Sequence, residues 1–232
     1  MFVLRLLLFV MLFQAVRCRG YWKCESGDCS SGTAKLSTRY CDQYEGGVEN
    51  GEPKGYGKFT YSGNKCPEPG FYRLEPEGLV YEGNWGIWKH GYNRLIGEGK
   101  IIYPNGAAYG GTFDGDDAPK GKGWVVLPGQ KKVEGIWKRR RLCTSGDCMN
   151  GPGVHYYVGS VSYRSETEFK NGVSSGKCKM DYFRLIEGNP LKTLRYSSVG
   201  ECTDLLFSGK VVDCDKNEPE LCRKIMKKQL QQ

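Results

Sequence analysis

The chain has 232 residues, among them 33 glycines, 11 cysteines and only two histidines, with 12% aromatic residues and a formal net charge of +8. That length allows one elongated domain, or a repeat domain with a small appendage. Two histidines leave little room for a nucleophile with its base, so the chain reads as non-catalytic, with no cofactor and no metal.

The first twenty residues, MFVLRLLLFVMLFQAVRCRG, place Arg5 before an apolar run from Leu6 to Phe13, then small residues near Cys18 and Gly20. This is the pattern of a secretory signal peptide, too short to span a bilayer stably. A cut after Cys18 or Gly20 would release a soluble chain. A lipid on Cys18 would anchor it, although Arg17 stands where a lipidation site wants a small residue. The expected location is secreted, or periplasmic and cell-envelope, where nucleic acid is not a partner.

From residue 44 to 182 one pattern recurs five times. YEGGV (44–48) leads to GYGKFTY (55–61), YEGNW (81–85) to GEGKIIY (97–103), YGGTF (109–113) to GKGWVVL (121–127), VEGIW (133–137) to GPGVHYY (151–157), and SETEF (165–169) to GKCKMDY (176–182). In the first half of a copy Tyr44 and Val48, Tyr81 and Trp85, Tyr109 and Phe113, or Val133 and Trp137 share one face of a strand. In the second half the period of two pairs Phe59 with Tyr61, Ile101 with Tyr103, Val125 with Leu127, His155 with Tyr157 and Met180 with Tyr182. Each copy is therefore a β-hairpin, with turn signals at Ser62-Gly63-Asn64, Pro104-Asn105-Gly106 and Pro128-Gly129 between copies. One hairpin cannot bury its aromatic face alone, so neighbours must stack. The expectation is one buried column through Phe59, Ile101, Val125, His155 and Met180.

The pattern Y-x-G-x-F/W, a loop and G-x-G-x-x-x-Y resembles the MORN repeat (membrane occupation and recognition nexus), over about residues 30–182. The resemblance implies an all-β fold, an elongated antiparallel sheet of stacked hairpins, and a binding or assembly role. The fifth copy departs from it, with Ser165 and Thr167 in place of the aromatic and the glycine and Cys178 in place of the second glycine. Long loops interrupt copies two and four.

Those loops, 86–96 and 138–150, hold the candidate binding residues. Trp88 and Tyr92 lie where repeat packing does not demand them, and aromatic residues of this kind anchor interfaces. Lys138, Arg139, Arg140 and Arg141 form four adjacent cations able to attract an acidic protein, an anionic polysaccharide or anionic lipid. Asp114-Gly115-Asp116-Asp117 reads as a solvated turn, because a calcium loop would need a later bidentate Glu.

With Cys18 set aside, ten cysteines remain, and an even set in an exported chain reads as a disulfide framework. Cys41 and Cys66 fall together at the open end of the first hairpin. Cys24 and Cys29, and likewise Cys143 and Cys148, close two loops of the form C-x-S-G-D-C. Four thiolates on zinc are the rival reading of those loops. Cys178, Cys202, Cys214 and Cys222 can pair in three ways.

The domain reading is a leader at 1–20, a repeat domain at 21–182 and a cysteine-containing cap at 183–232. The cap has strand signals at Leu205–Phe207 and Lys210–Val212 and a final helix from near Pro219, with Asn217 or Asp215 as its cap. Leu221, Ile225 and Met226 give that helix an apolar face beside Arg223, Lys224, Lys227 and Lys228. It can close the end of the sheet, or lie on an anionic membrane.

Overall fold

The structure, a computed structural model, describes residues 21–63, 66, 75–87, 93–116, 118–138, 140–159, 161–186, 189–203, 207–216 and 218–229. The leader at 1–20 and the candidates Trp88, Tyr92 and Arg139 lie outside the described residues, as does His90.

Period-two patterning yields strands throughout. They are β1 (Trp22–Gly27), β2 (Ser31–Thr38), β3 (Gln43–Glu49), β4 (Glu52–Thr60), β5 (Val80–Ile87), β6 (Asn93–Ile102), β7 (Ala108–Asp114), β8 (Lys120–Val126), β9 (Val133–Lys138), β10 (Arg141–Gly146), β11 (Gly151–Tyr157), β12 (Val161–Lys170), β13 (Val173–Ile186), β14 (Asn189–Cys202) and β15 (Phe207–Cys214), followed by helix α1 (Pro219–Gln229). All fifteen strands form one antiparallel sheet in sequence order, each paired with its chain neighbour. The stacked hairpins expected from the repeat are present. Two of the three expected turns are too: Tyr103 O accepts from Gly106 N at 2.9 Å, and Leu127 O accepts from Gln130 N at 2.8 Å, while Asn64 of the third lies outside the described residues.

Two expected boundaries change. β13 runs through the division at 182/183, and β14 and β15 add to the same sheet, so most of the expected cap is further sheet. The two long loops are also shorter than expected: β5 reaches Ile87 and β6 starts at Asn93, while β9 ends at Lys138 and β10 starts at Arg141. α1 does begin at Pro219, with Glu220 in its first turn, where a negative charge suits the helix dipole. Asp215 contributes its main-chain carbonyl, which accepts from Glu218 N at 3.2 Å. The disulfide Cys214–Cys222 ties this helix to the edge strand β15. The side chains of Ile225 and Met226 lie outside the described residues, and no described helix is long and apolar enough to cross a membrane.

Directly opposed residues on paired strands point to the same face, so side-chain rows can be followed across the sheet. One row runs Leu36, Tyr44, Phe59, Tyr81, Ile101, Tyr109, Val125, Val133. With Trp85, Phe113 and Trp137 it makes the main apolar core, where each buried large side chain contributes about 1.5–3 kcal/mol. Glycine is required where these rings lie across the neighbouring strand: a Cβ on Gly123 would run into Trp137 Nε1, and one on Gly57 into Tyr44 Oη. The opposite face carries Lys35, Glu45, Lys58, Glu82 and Lys100 in one row, its signs alternating. Lys35 meets Glu45 at 3.4 Å and Lys100 meets Glu82 at 3.2 Å, so opposite charges reward the same register that the aromatic side demands.

The sheet curls toward the aromatic side. Laid flat, β1 and β6 would stand about 24 Å apart, at ~4.8 Å per strand. Yet Trp22 Nε1 donates to Asn93 Oδ1 at 3.3 Å. Further along, Asn105 Nδ2 donates to Thr193 Oγ1 at 2.9 Å, and Arg195 Nη2 donates to the Pro128 carbonyl at 2.6 Å. The aromatic side is therefore the inner face.

The expected single column does not run the length of the sheet. In copy four β10 intervenes between the aromatic strand and the Gly-x-Gly strand. A tight hairpin sets Arg141 opposite Lys138 and Leu142 opposite Trp137, so Leu142 and its partner Tyr156 stay on the inner face. His155 then stands opposite Cys143, itself opposite Ile136, on the outer face. Ser165, Met180 and Ser198 follow in that outer row. A second apolar cluster accordingly forms there from Cys178, Met180 and Cys202, with Tyr163, Tyr182 and Phe207 against it.

The two C-x-S-G-D-C segments are structural duplicates. Each lies in the first strand of a hairpin, with a bulge after its first cysteine, at Cys24/Ser26 and at Cys143/Ser145. Asp28 Oδ1 accepts from Ser30 N at 3.0 Å and Ser31 N at 3.1 Å; Asp147 Oδ1 accepts from Met149 N at 2.8 Å. These hydrogen bonds hold both carboxyls below their ordinary range, that of Asp28 led by the Ser30 hydroxyl. Within the duplicated hairpins Leu36 stands opposite Cys24 as His155 stands opposite Cys143, but on opposite faces of the sheet.

All five disulfides are formed: Cys24–Cys29, Cys41–Cys66, Cys143–Cys148, Cys178–Cys202 and Cys214–Cys222. The Cys178–Cys202 bridge follows from register, since Cys178 lies opposite Gly200 and Cys202 opposite Gly176, a diagonal pair on one face. Both C-x-S-G-D-C loops are thus closed by their own cysteines rather than joined through zinc.

Candidate functional site

Curling the sheet produces a cleft of about 470 Å³ on the inner face, between β1 and the strands from β4 to β7. Its floor comes from the repeat aromatics Phe59, Tyr61, Tyr81 and Trp85, with Trp22 and Phe113. Tyr61 and Tyr81 are half-buried, their ring centroids 5.7 Å apart, and Phe59 meets Tyr61 edge-on at 4.9 Å. The indole N–H groups do not reach into the cleft as free donors: Trp85 Nε1 donates to the Gly57 carbonyl at 3.0 Å, and Trp22 Nε1 to Asn93. The other polar residues of its lining are Asn93, Glu52, Arg94 and Asp116.

A second, larger cleft of about 1090 Å³ occupies the inner face at β11–β15, where the row turns polar. Tyr156, Arg164, Asp181, Ser197 and Asp213 lie directly opposite one another in turn. Arg164 Nη1 pairs with Asp181 Oδ2 at 3.5 Å, and Ser197 Oγ donates to Asp181 Oδ1 at 2.7 Å. Arg195 is committed to the Pro128 carbonyl and lies 5.4 Å from the Phe183 ring centroid.

On the outer face His155 is 2% exposed, and neither ring nitrogen has a hydrogen-bond partner. Burial, with a smaller push from the nearby Arg141 charge, lowers its pKa to about 3. Ser165 Oγ and Ser198 Oγ in the same row are also buried without partners. His155 and Ser165 stand opposite each other but share no hydrogen bond and do not reach solvent, so they lack the geometry of an activated nucleophile. Beside them Tyr157, Tyr163, Tyr182 and Tyr196 cross four strands as a ladder. Tyr157 and Tyr163 stack at 5.3 Å and Tyr182 and Tyr196 at 4.7 Å, burying their faces against each other.

The basic tract is not the free loop that was expected. Lys138 ends β9, Arg140 sits in the turn at φ 66°, and Arg141 opens β10. Lys138 and Arg140 are exposed, whereas Arg141 is half-buried and hydrogen-bonds Tyr163. Asp114, in the supposed acidic turn, pairs with Lys120.

Sequence reasoning did not assemble the cleft. Tyr61 and Tyr81 were legible as repeat aromatics, but Trp22, Asn93 and Arg94 join them only through the curl of the sheet. No protein-family model matches the chain, and no curated protein matches it.

Proposed function

We propose that this is an exported, non-catalytic repeat protein of the MORN type, which presents a rigid β surface to a macromolecular partner. The observation that carries the reading is the inner-face cleft: repeat aromatics left partly open, on a scaffold braced by five disulfides. Clefts of about 300–1,000 Å³ with an apolar floor and a few polar groups are the usual form of a ligand site. Oxidised cysteines throughout the sheet support export.

A second reading rests on the exposed cations Lys138 and Arg140 at the β9–β10 tip, which suit an anionic polysaccharide or anionic lipid surface. The two readings separate in one experiment. Binding of the oxidised protein to neutral polysaccharide, sulfated polysaccharide and anionic vesicles is measured at low and physiological salt, for wild type, Tyr61→Ala/Tyr81→Ala and Lys138→Gln/Arg140→Gln. Loss of binding in the tyrosine variant alone assigns the cleft, and loss in the cation variant alone assigns the hairpin tip. Binding to none of the three, or turnover of any of them, overturns the proposal.

A further inference from the structure

We infer that the β9–β10 tip is a processing site, at which an endoprotease specific for paired basic residues hydrolyses the Arg140–Arg141 peptide bond. The cut divides the sheet into two halves, 21–140 and 141–232, that no disulfide joins. Water adds across the bond, its hydroxyl going to the Arg140 carbonyl carbon and its proton to the Arg141 nitrogen, so no further reactant is consumed. The inference is independent of what the cleft binds.

The tip is built against the preference of its own turn. Elsewhere in the sheet, Glu49 opposite Glu52 closes a hairpin on Asn50-Gly51, and Lys170 opposite Val173 closes another on Asn171-Gly172. Asn-Gly is what such a tip favours, because both central residues take positive φ. Lys138 opposite Arg141 closes the same kind of hairpin on Arg139-Arg140. Arg140 holds φ 66° where glycine stands in the other two, a conformation that a long side chain disfavours. Lys138 and Arg140 are exposed. Four cations thus occupy a tip whose turn geometry calls for none of them.

Position in the fold favours cutting over simple attraction of an anion. Cys24–Cys29 and Cys41–Cys66 lie before the tip, and Cys143–Cys148, Cys178–Cys202 and Cys214–Cys222 lie after it. Each half opens on a C-x-S-G-D-C loop, the second starting two residues beyond Arg141. Among the described residues the β9–β10 ladder has three residue pairs, fewer than any other in the sheet. Few backbone hydrogen bonds oppose its local opening, and exposed loop tips of low stability are where folded chains are nicked. Opening the outermost rung gives up the Arg141–Tyr163 hydrogen bond but leaves the core closed, since that begins one rung further in with Trp137 and Leu142. An anion-binding tip needs the charges but has no need of this boundary.

The oxidised protein is incubated with a kexin-type endoprotease, and the products are followed by mass spectrometry and on denaturing gels run without reductant. The tract at 138–141 should be cut before the other adjacent basic pairs, Lys131-Lys132 and Arg223-Lys224, and the cut chain should run as two bands with no reductant present. Two double variants, Arg139→Asn/Arg140→Gly and Lys138→Gln/Arg140→Gln, each leave no adjacent cations in the tract. Both should melt no more than about 2 °C below wild type, as surface changes do, and should be cut at least about tenfold more slowly. Variants cut as fast as wild type, first cleavage at another basic pair, or two bands that appear only with reductant overturn the inference. A folded protein that the protease leaves intact overturns it too, and retention of that intact protein on heparin then assigns the tip to an anionic partner.

Discussion

Leu142 stands directly opposite Trp137 across β9 and β10. That pairing keeps Leu142 in the main core and sends Cys143, and with it His155, to the outer face. From this hairpin onward the Gly-x-Gly copies bury their apolar residues on the other side of the sheet. The inner face is left polar at Arg164, Asp181 and Ser197 and the outer face apolar at Cys178, Met180 and Cys202. One sheet thus carries two cores back to back.

Two cores predict additive damage. Ile101 is 1% exposed in the first cluster and Met180 7% exposed in the second. Ile101→Ala and Met180→Ala should each cost roughly 2–5 kcal/mol. In the double variant the costs should sum within about 0.5 kcal/mol, as for sites that share no partners. Urea unfolding of the three variants measures this, and strong coupling would mean one continuous column.

Non-reducing peptide mapping should recover Cys178–Cys202 and Cys214–Cys222 with no reactive thiol. Cys41–Cys66 and Cys178–Cys202 span 25 and 24 residues, against 5 for the two C-x-S-G-D-C loops. Closing longer loops restrains the unfolded chain more. Replacing either long-span pair with serines should therefore cost roughly 3 kcal/mol, and either short-span pair less, by the same unfolding measurement. Stoichiometric zinc in the purified protein would contradict the framework.

His155 should make the fold acid-sensitive. Its pKa falls from 6.5 to about 3 on burial, so between those values the unfolded chain binds the extra proton. Stability is then complete above pH 6.5 and declines as pH falls toward 3, by at most about 1.4 kcal/mol per pH unit. His155→Leu removes both the proton uptake and two unpartnered buried nitrogens. It should flatten the decline between pH 6 and pH 4 while matching or exceeding wild-type stability at pH 7. Urea midpoints for the two proteins across that range provide the check, and parallel acid limbs would remove His155 as the cause.

The basic hairpin should divide into a tip and a root. Lys138→Gln/Arg140→Gln changes exposed cations and should leave the unfolding temperature within about 2 °C, as expected for surface changes. Arg141→Gln removes the hydrogen bond to Tyr163 and should destabilise by about 0.5–1.5 kcal/mol. If the tip meets an anionic partner, the double variant should also lose the salt dependence of heparin retention. Thermal melts and heparin chromatography at two salt concentrations read both effects.

What the chain determines locally was legible in its sequence. Period two around Gly-x-Gly makes strands, Pro-Asn-Gly and Pro-Gly make turns, and consecutive strands joined by short links pair with their neighbours. The Cys41–Cys66 bridge and both C-x-S-G-D-C loops follow from the same short-range geometry. Which face a residue occupies is a different kind of quantity. It depends on how many strands and bulges lie between two copies, so β10, hidden in what read as a loop, moved His155 and Met180 out of the column with Phe59, Ile101 and Val125. The cleft is more remote still: Trp22 and Asn93 are 71 residues apart and meet only because the sheet curls. Curl accumulates from small twists over many strands, and no local pattern reports that sum.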